Sequence, residues 1–264
     1  MKVYPKNGIL VLGIALIFFS CTKTYTYERI DKVFEPIISK YGIKIVYEIN
    51  EEFSPIRNGG VRVRFTKVKK IEPRVLSKYP QILAMAFKKY PTKVIKNNIN
   101  AIYFAKEMEY NGLQYGGTYD SFRRIIFLAN DGEQTDDRSI AIFHHELSSL
   151  LLDRYGFLIN PWFNQNPKNF KYRSDTNGSW KNAYNGTSIV GTISDYEKGF
   201  LNSYSQTNFE NDFNEYSRLV FSYPQKFKKI MNQYPRVRGK FLVFLEFYHK
   251  IDPIFTEEYL LGEK

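Results

Sequence analysis

Between residues 25 and 41, Ile30, Val33, Phe34, Ile37 and Ile38 follow i, i+3, i+4 spacing, which predicts a helix with one apolar face. Gly42 stands where such a helix stops. Residues 43–49 alternate and are β-branched, predicting a strand. The turn signal Asn58-Gly59-Gly60 leads into a second expected strand over 61–68, where Val61, Val63 and Phe65 alternate with Arg62 and Arg64. Residues 72–90 return to helical spacing, with Leu76, Tyr79, Ile82, Leu83 and Phe87 inward and Pro80 dividing the helix in two. Strands are expected at 101–105 and 125–128, with a glycine-rich connection over 112–117.

The most regular helix begins at Thr135 or Asp136, both good N-caps, and ends at Tyr155 before Gly156. Asp137 adds a charge that favours the helix dipole. A polar, Asn-rich loop is expected from Asn160 to near Asp195, a length that often signals function. From Tyr196 onward the pattern is helical, with breaks at Pro224, Pro235 and Pro253. Neither a repeat nor a compositional linker divides the chain, so an α+β domain is expected: a small mixed sheet followed by a helical C-terminal part.

Composition changes this picture at the N-terminus. With 43% apolar residues over 264 positions the chain is not disordered, and it is long enough to bury a core without disulfides. A single cysteine excludes a disulfide scaffold and a zinc ribbon. That cysteine follows Lys2, Lys6, an apolar run from Gly8 to Phe19, and Ser20, an arrangement that resembles the lipobox of bacterial lipoproteins. Phe18 departs from the usual aliphatic residue three before the cysteine. Residues 1–20 are then a removed signal peptide and Cys21 carries the lipid; an ordinary signal peptide or a short anchor helix is the alternative. The expected location is the cell envelope, anchored by lipid to the membrane.

Charge adds less than it promises. Loss of Lys2 and Lys6 takes the net charge from +11 to +9, and the excess concentrates between Arg62 and Lys96, where Glu72 is the one acid. The period-two pattern there reads first as a solvated sheet face, with lipid headgroups or acidic glycans as open alternatives. For an exported lipoprotein, nucleic acid is not an expected partner. The 21 Tyr and 22 Phe read as bulky core packing before they read as a ligand surface. Trp162, Phe163 and Trp180 flank the long loop and either anchor it or line a peptide or sugar surface.

Chemistry points to His144-His145-Glu146 in the 135–155 helix. In HExxH metallopeptidases two histidines at i and i+4 bind zinc on one helical face, and the intervening glutamate polarises a bound water. Here His145 and Glu146 fit, but Ser149 occupies the second histidine position. His144 cannot substitute, because adjacent helical residues point about 100° apart; it aligns with Ile140, Leu147 and Leu151 on the apolar face. His249, in an apolar helix, is a remote candidate for a second imidazole.

Two later segments, Gly199-Phe200-Leu201-Asn202-Ser203-Tyr204 and Asn208-Phe209-Glu210-Asn211-Asp212-Phe213-Asn214-Glu215, complete a recognisable order. Together with the lipobox and the His-Glu helix, they resemble zinc-dependent metallohydrolase lipoproteins linked to substrate import in Gram-negative bacteria. That family's pattern is approximately G-F-x-x-x-Y-A followed by N-x-x-E-D-F-A-E. The resemblance implies a zincin-like fold, with His145 as a zinc ligand, Glu146 as general base and Tyr204 assisting at the oxyanion. The third-ligand glutamate falls on Asn211; a one-residue shift would use Glu210, and Asp212 and Glu215 lie close on the same helix. It also implies an outer-membrane import complex as partner and a peptide or polymer as substrate. With Ser149 and Asn211 in ligand positions, two outcomes stay open: an altered zinc metallopeptidase, or a non-catalytic pseudo-peptidase that binds or scaffolds.

Overall fold

The strand that organises the molecule is β3, Ala101–Tyr110, which is paired along both edges. The computed structural model describes residues 26–49, 55–56, 62, 64–110, 112–173 and 191–262. The leader and Cys21, the Asn58-Gly59-Gly60 turn, Val61, Val63 and Trp180 therefore lie outside the described residues. Beside the first half of β3 run two parallel neighbours, β1 (Lys44–Val46) and β6 (Ile125–Ala129). Its second half pairs antiparallel with β2 (Lys67–Lys70) and β4 (Leu113–Gln114). Antiparallel to β6, β5 (Gly117–Asp120) ends the β1-β3-β6-β5 path. The result is an α+β fold on a small open mixed sheet.

Three expectations change here. The strand expected at 101–105 continues to Tyr110 because β2 and β4 supply partners for its second half. The glycine-rich connection contains β4 and the start of β5. Arg62 forms only an isolated bridge to Ile56, and the basic strand begins at Lys67. Its register explains the shift: Lys67 lies opposite Glu109 and Lys69 opposite Glu107, so opposite charges meet across the ladder. Lys67 and Lys69 both reach Glu107, and Lys70 reaches Glu48. The three lysines of β2 that lie on this partly solvated face are therefore each paired with an acid.

The period-two rule decides the two sheet faces. Ile102 and Phe104 enter the main apolar cluster, while Ala101 and Ala105 join a smaller one around Phe65 and Phe127. Helix α1 (Tyr27–Tyr41) packs Ile30 and Phe34 into the main cluster and ends at Gly42, whose φ of 70° is left-handed. The expected break near Pro80 separates α2 (Pro73–Leu76) from α3 (Tyr79–Phe87), and all five residues read as inward are buried. A short helix, α4 (Thr92–Asn98), leads into β3.

Helix α5, Asp136–Tyr155, matches its expected bounds, with the Thr135 hydroxyl accepting the Arg138 N–H at 3.3 Å. The long loop holds two short helices among its described residues, α6 (Ile159–Phe163) and α7 (Ile193–Glu197). A 3₁₀ turn at Tyr204–Gln206 precedes α8 (Phe209–Ser222), which the Asn208 side chain caps by accepting the Asn211 N–H at 2.7 Å. Then come α9 (Pro224–Gln233), α10 (Pro235–Ile251) and α11 (Glu257–Leu261). Pro224 and Pro235 each open a helix, where a missing N–H costs nothing. Among the described residues no helix is long and apolar enough to cross a membrane.

Candidate functional site

Helices α5 and α8 meet along a polar seam inside the apolar body. The contacts fix an antiparallel register: Ser217 Oγ donates to the His144 carbonyl at 3.1 Å, His145 faces Glu215, and Asn214 reaches Ser149. His144 itself turns away into the core. Its Nδ1 lies 2.9 Å from the Tyr90 hydroxyl, and burial pushes its pKa down to about 3, so it is a neutral packing residue.

His145 Nδ1 lies 3.5 Å from Glu215 Oε1. Burial opposes charge on this imidazole, but Glu215 and Glu146 outweigh it and raise its pKa. Burial also works against the Glu215 carboxylate, and Arg218 and His145 reverse that, holding its pKa below the usual range. Glu215 Oε2 accepts from Asn202 Nδ2 at 2.5 Å and pairs with the Arg218 guanidinium one turn along α8. The Tyr204 ring stands over the same place, 6.0 Å from the His145 ring centroid. Glu146 is buried against β5: a Cβ added at Gly117 would lie 2.7 Å from its Cγ and 2.8 Å from its Oε1. Glycine at 117 is what lets the helix carry a glutamate at this point.

The structure therefore gathers His145, Glu215 and Tyr204 and keeps Glu146 on the adjoining helical face. Asp212 belongs to a different cluster. Its Oδ2 accepts from Lys240 Nζ at 2.6 Å, the Tyr172 hydroxyl at 2.6 Å and Trp162 Nε1 at 2.8 Å. Glu210 is half-buried in the first turn of α8, where its charge favours the dipole, and Asn211 donates to Thr207 Oγ1 at 2.8 Å. His249 is exposed near the end of α10, with Nδ1 3.3 Å from the Phe255 carbonyl.

Residues to which the sequence reading gave no role complete the seam. Asn214 Nδ2 donates to Ser149 Oγ at 2.6 Å, so the second-histidine position is closed by a neutral hydrogen bond between the two helices. Arg218 and Asn202 together occupy the carboxylate that faces His145. Arg218 was visible as the i+3 partner of Glu215; Asn214 had no signal until Ser149 was known to face it.

These donors do not fit zinc. A catalytic zinc takes three protein ligands and leaves a coordination position for water. Here one imidazole and one carboxylate converge, and a guanidinium already neutralises that carboxylate. Among the described residues no three His, Cys, Asp or Glu side chains group as a metal site. No protein-family model, curated protein or solved structure matches the chain.

Proposed function

We propose that this protein is a non-catalytic, pseudo-peptidase-type lipoprotein of the cell envelope, built on a zincin-like plan and serving as a binding or scaffold subunit of an import complex. The observation that carries the reading is Arg218 on Glu215: a fixed side-chain cation stands at the carboxylate beside His145, where a metallopeptidase needs its metal. The Ser149–Asn214 bond supports it by using up the second ligand position. The plan itself is supported by the small mixed sheet, the His-Glu helix beside its end strand and the packed helix bearing a glutamate. The envelope and import elements rest on the leader pattern and the family resemblance.

A second reading, an active but altered metallopeptidase acting on peptide or polymer, is favoured by the survival of His145, Glu146, Tyr204 and Glu215 near one another. Hydrolysis assays on casein and peptide libraries separate the two. The proposal expects no turnover and no stoichiometric zinc in the purified protein. Hydrolysis that Glu146→Gln abolishes, or zinc that His145→Ala removes, overturns it.

A further inference from the structure

Away from the His145 seam, a cavity of about 710 Å³ opens between the loop after α6 and the start of α10. That volume lies within the range of small-ligand sites, roughly 300–1,000 Å³. Its wall carries the aromatic rings of Phe163, Phe170 and Tyr172 and the cations Lys168, Lys171 and Arg236, with no carboxylate among the described residues. Behind Tyr172, the buried Asp212 is paired with Lys240. Because the Tyr172 hydroxyl is donated to Asp212, the part it keeps for a ligand is its ring.

Part of the loop backbone is already bonded. The Gln165 and Asn166 carbonyls accept from Arg236 Nη1 at 2.8 and 2.9 Å, the Gln165 and Asn166 N–H groups donate to the Trp162 and Phe163 carbonyls of α6, and the Phe170 N–H donates to the Pro167 carbonyl. What the wall offers a ligand through its side chains is aromatic faces, amides and cations. Asn166 in the same wall has a buried amide oxygen that meets no donor among the described residues. Aromatic faces suit the C–H faces of a pyranose, amides suit its hydroxyls, and cations suit a carboxylate on the ring.

We propose that this cavity binds a short acidic oligosaccharide, of the uronic-acid class, of one or two rings. The site is independent of the His145 seam and of whether that seam is catalytic. Titration calorimetry on the full chain would compare digalacturonate, neutral galactobiose and an acidic tetrapeptide. Digalacturonate is expected to bind at least about tenfold more tightly than either, with affinity falling as salt rises. Lys168 and Lys171 are exposed and pair with no acid among the described residues, so Lys168→Gln/Lys171→Gln should leave the melting temperature unchanged and weaken digalacturonate by about tenfold. Phe163→Ala, at a partly exposed ring, should weaken both sugars alike. Absence of digalacturonate binding, equal binding of the neutral sugar, tighter binding of the peptide, or an unchanged affinity in the double lysine variant each overturns the proposal.

Discussion

His144 and His145 are neighbours in sequence that the helix turns into different surroundings, and their ionisation should act on stability with opposite signs. His144 is held neutral in the fold with a pKa of about 3, while the unfolded chain takes up its proton near pH 6.5, by the ordinary value of about 6.5. Below that pH the unfolded state binds the extra proton, so stability falls as pH drops, by up to about 1.4 kcal/mol per unit. His144→Gln should lose close to one proton from this slope in urea titrations between about pH 5.5 and 4, well below the unfolded pKa and above the folded one; an unchanged slope refutes the assignment. His145 has a raised pKa, so its contribution is complete below its unfolded value and is lost as pH rises through the folded one. Glu215→Gln removes the partner of both His145 and Arg218. Because Glu215 is 4% exposed and Arg218 14%, stranding the guanidinium should cost about 3–5 kcal/mol, and NMR titration should show the His145 pKa falling. The same geometry defines what metal binding lacks. Ser149→His supplies an imidazole and Arg218→Gln frees the carboxylate, so the double variant should bind zinc on the order of a hundredfold more tightly than the natural chain in chelator competition. No gain in affinity would show that the seam is not an occluded ligand set.

At the scale of elements, the seat of α5 on β5 depends on one missing methyl group. Gly117→Ala would place Cβ 2.8 Å from Ile142 Cγ2 as well as against Glu146, both on a packed helix. It should destabilise by about 1–3 kcal/mol, read as a lower urea midpoint at constant slope. The elements legible in the sequence are those whose signals are local. Thr135 and Gly156 bracket α5, and Leu76, Tyr79, Ile82, Leu83 and Phe87 declare the buried side of α2 and α3. Strands β4 and β5 were hidden because two and four residues are too few to display a period. The start of β2 was set by Glu107 and Glu109, some forty residues away, which no local pattern carries. The candidate site was legible to the same extent. His145 and Glu146 could be read from one helix. That Glu215 is the carboxylate facing His145, and that Asn214 closes Ser149, depends on how α5 and α8 slide past one another, and packing alone sets that register.

Among the described residues, much of the aromatic excess packs into core, while Phe122, Tyr155 and Phe163 stay exposed. One contiguous apolar cluster runs from Phe34 of α1 through Phe104 of the sheet and Phe143 of α5 to Phe213, Phe244 and Tyr248 of the C-terminal helices. No surface of weak contact separates a sheet half from a helical half along that path, so the two should unfold together despite the chain's length. Trp162 offers a local probe: it is fully buried, packs on Phe213 and Tyr216, and donates to Asp212 in the helical part. In a Trp180→Phe variant, Trp162 fluorescence reports the C-terminal helices alone, while hydrogen exchange at the β3 and β6 amides reports the sheet. Both should give the same opening free energy, because neither half can shed its partner without exposing Phe104, Phe143 and Phe213 together. Asp212→Asn tests the coupling. It leaves Lys240 as a fully buried cation without its counter-charge and should lower both probes equally, by about 3–5 kcal/mol. If the Trp162 signal moved while β3 and β6 kept their protection, the helical part would be a separate cooperative unit, and the α5–α8 seam would be an interface that can open.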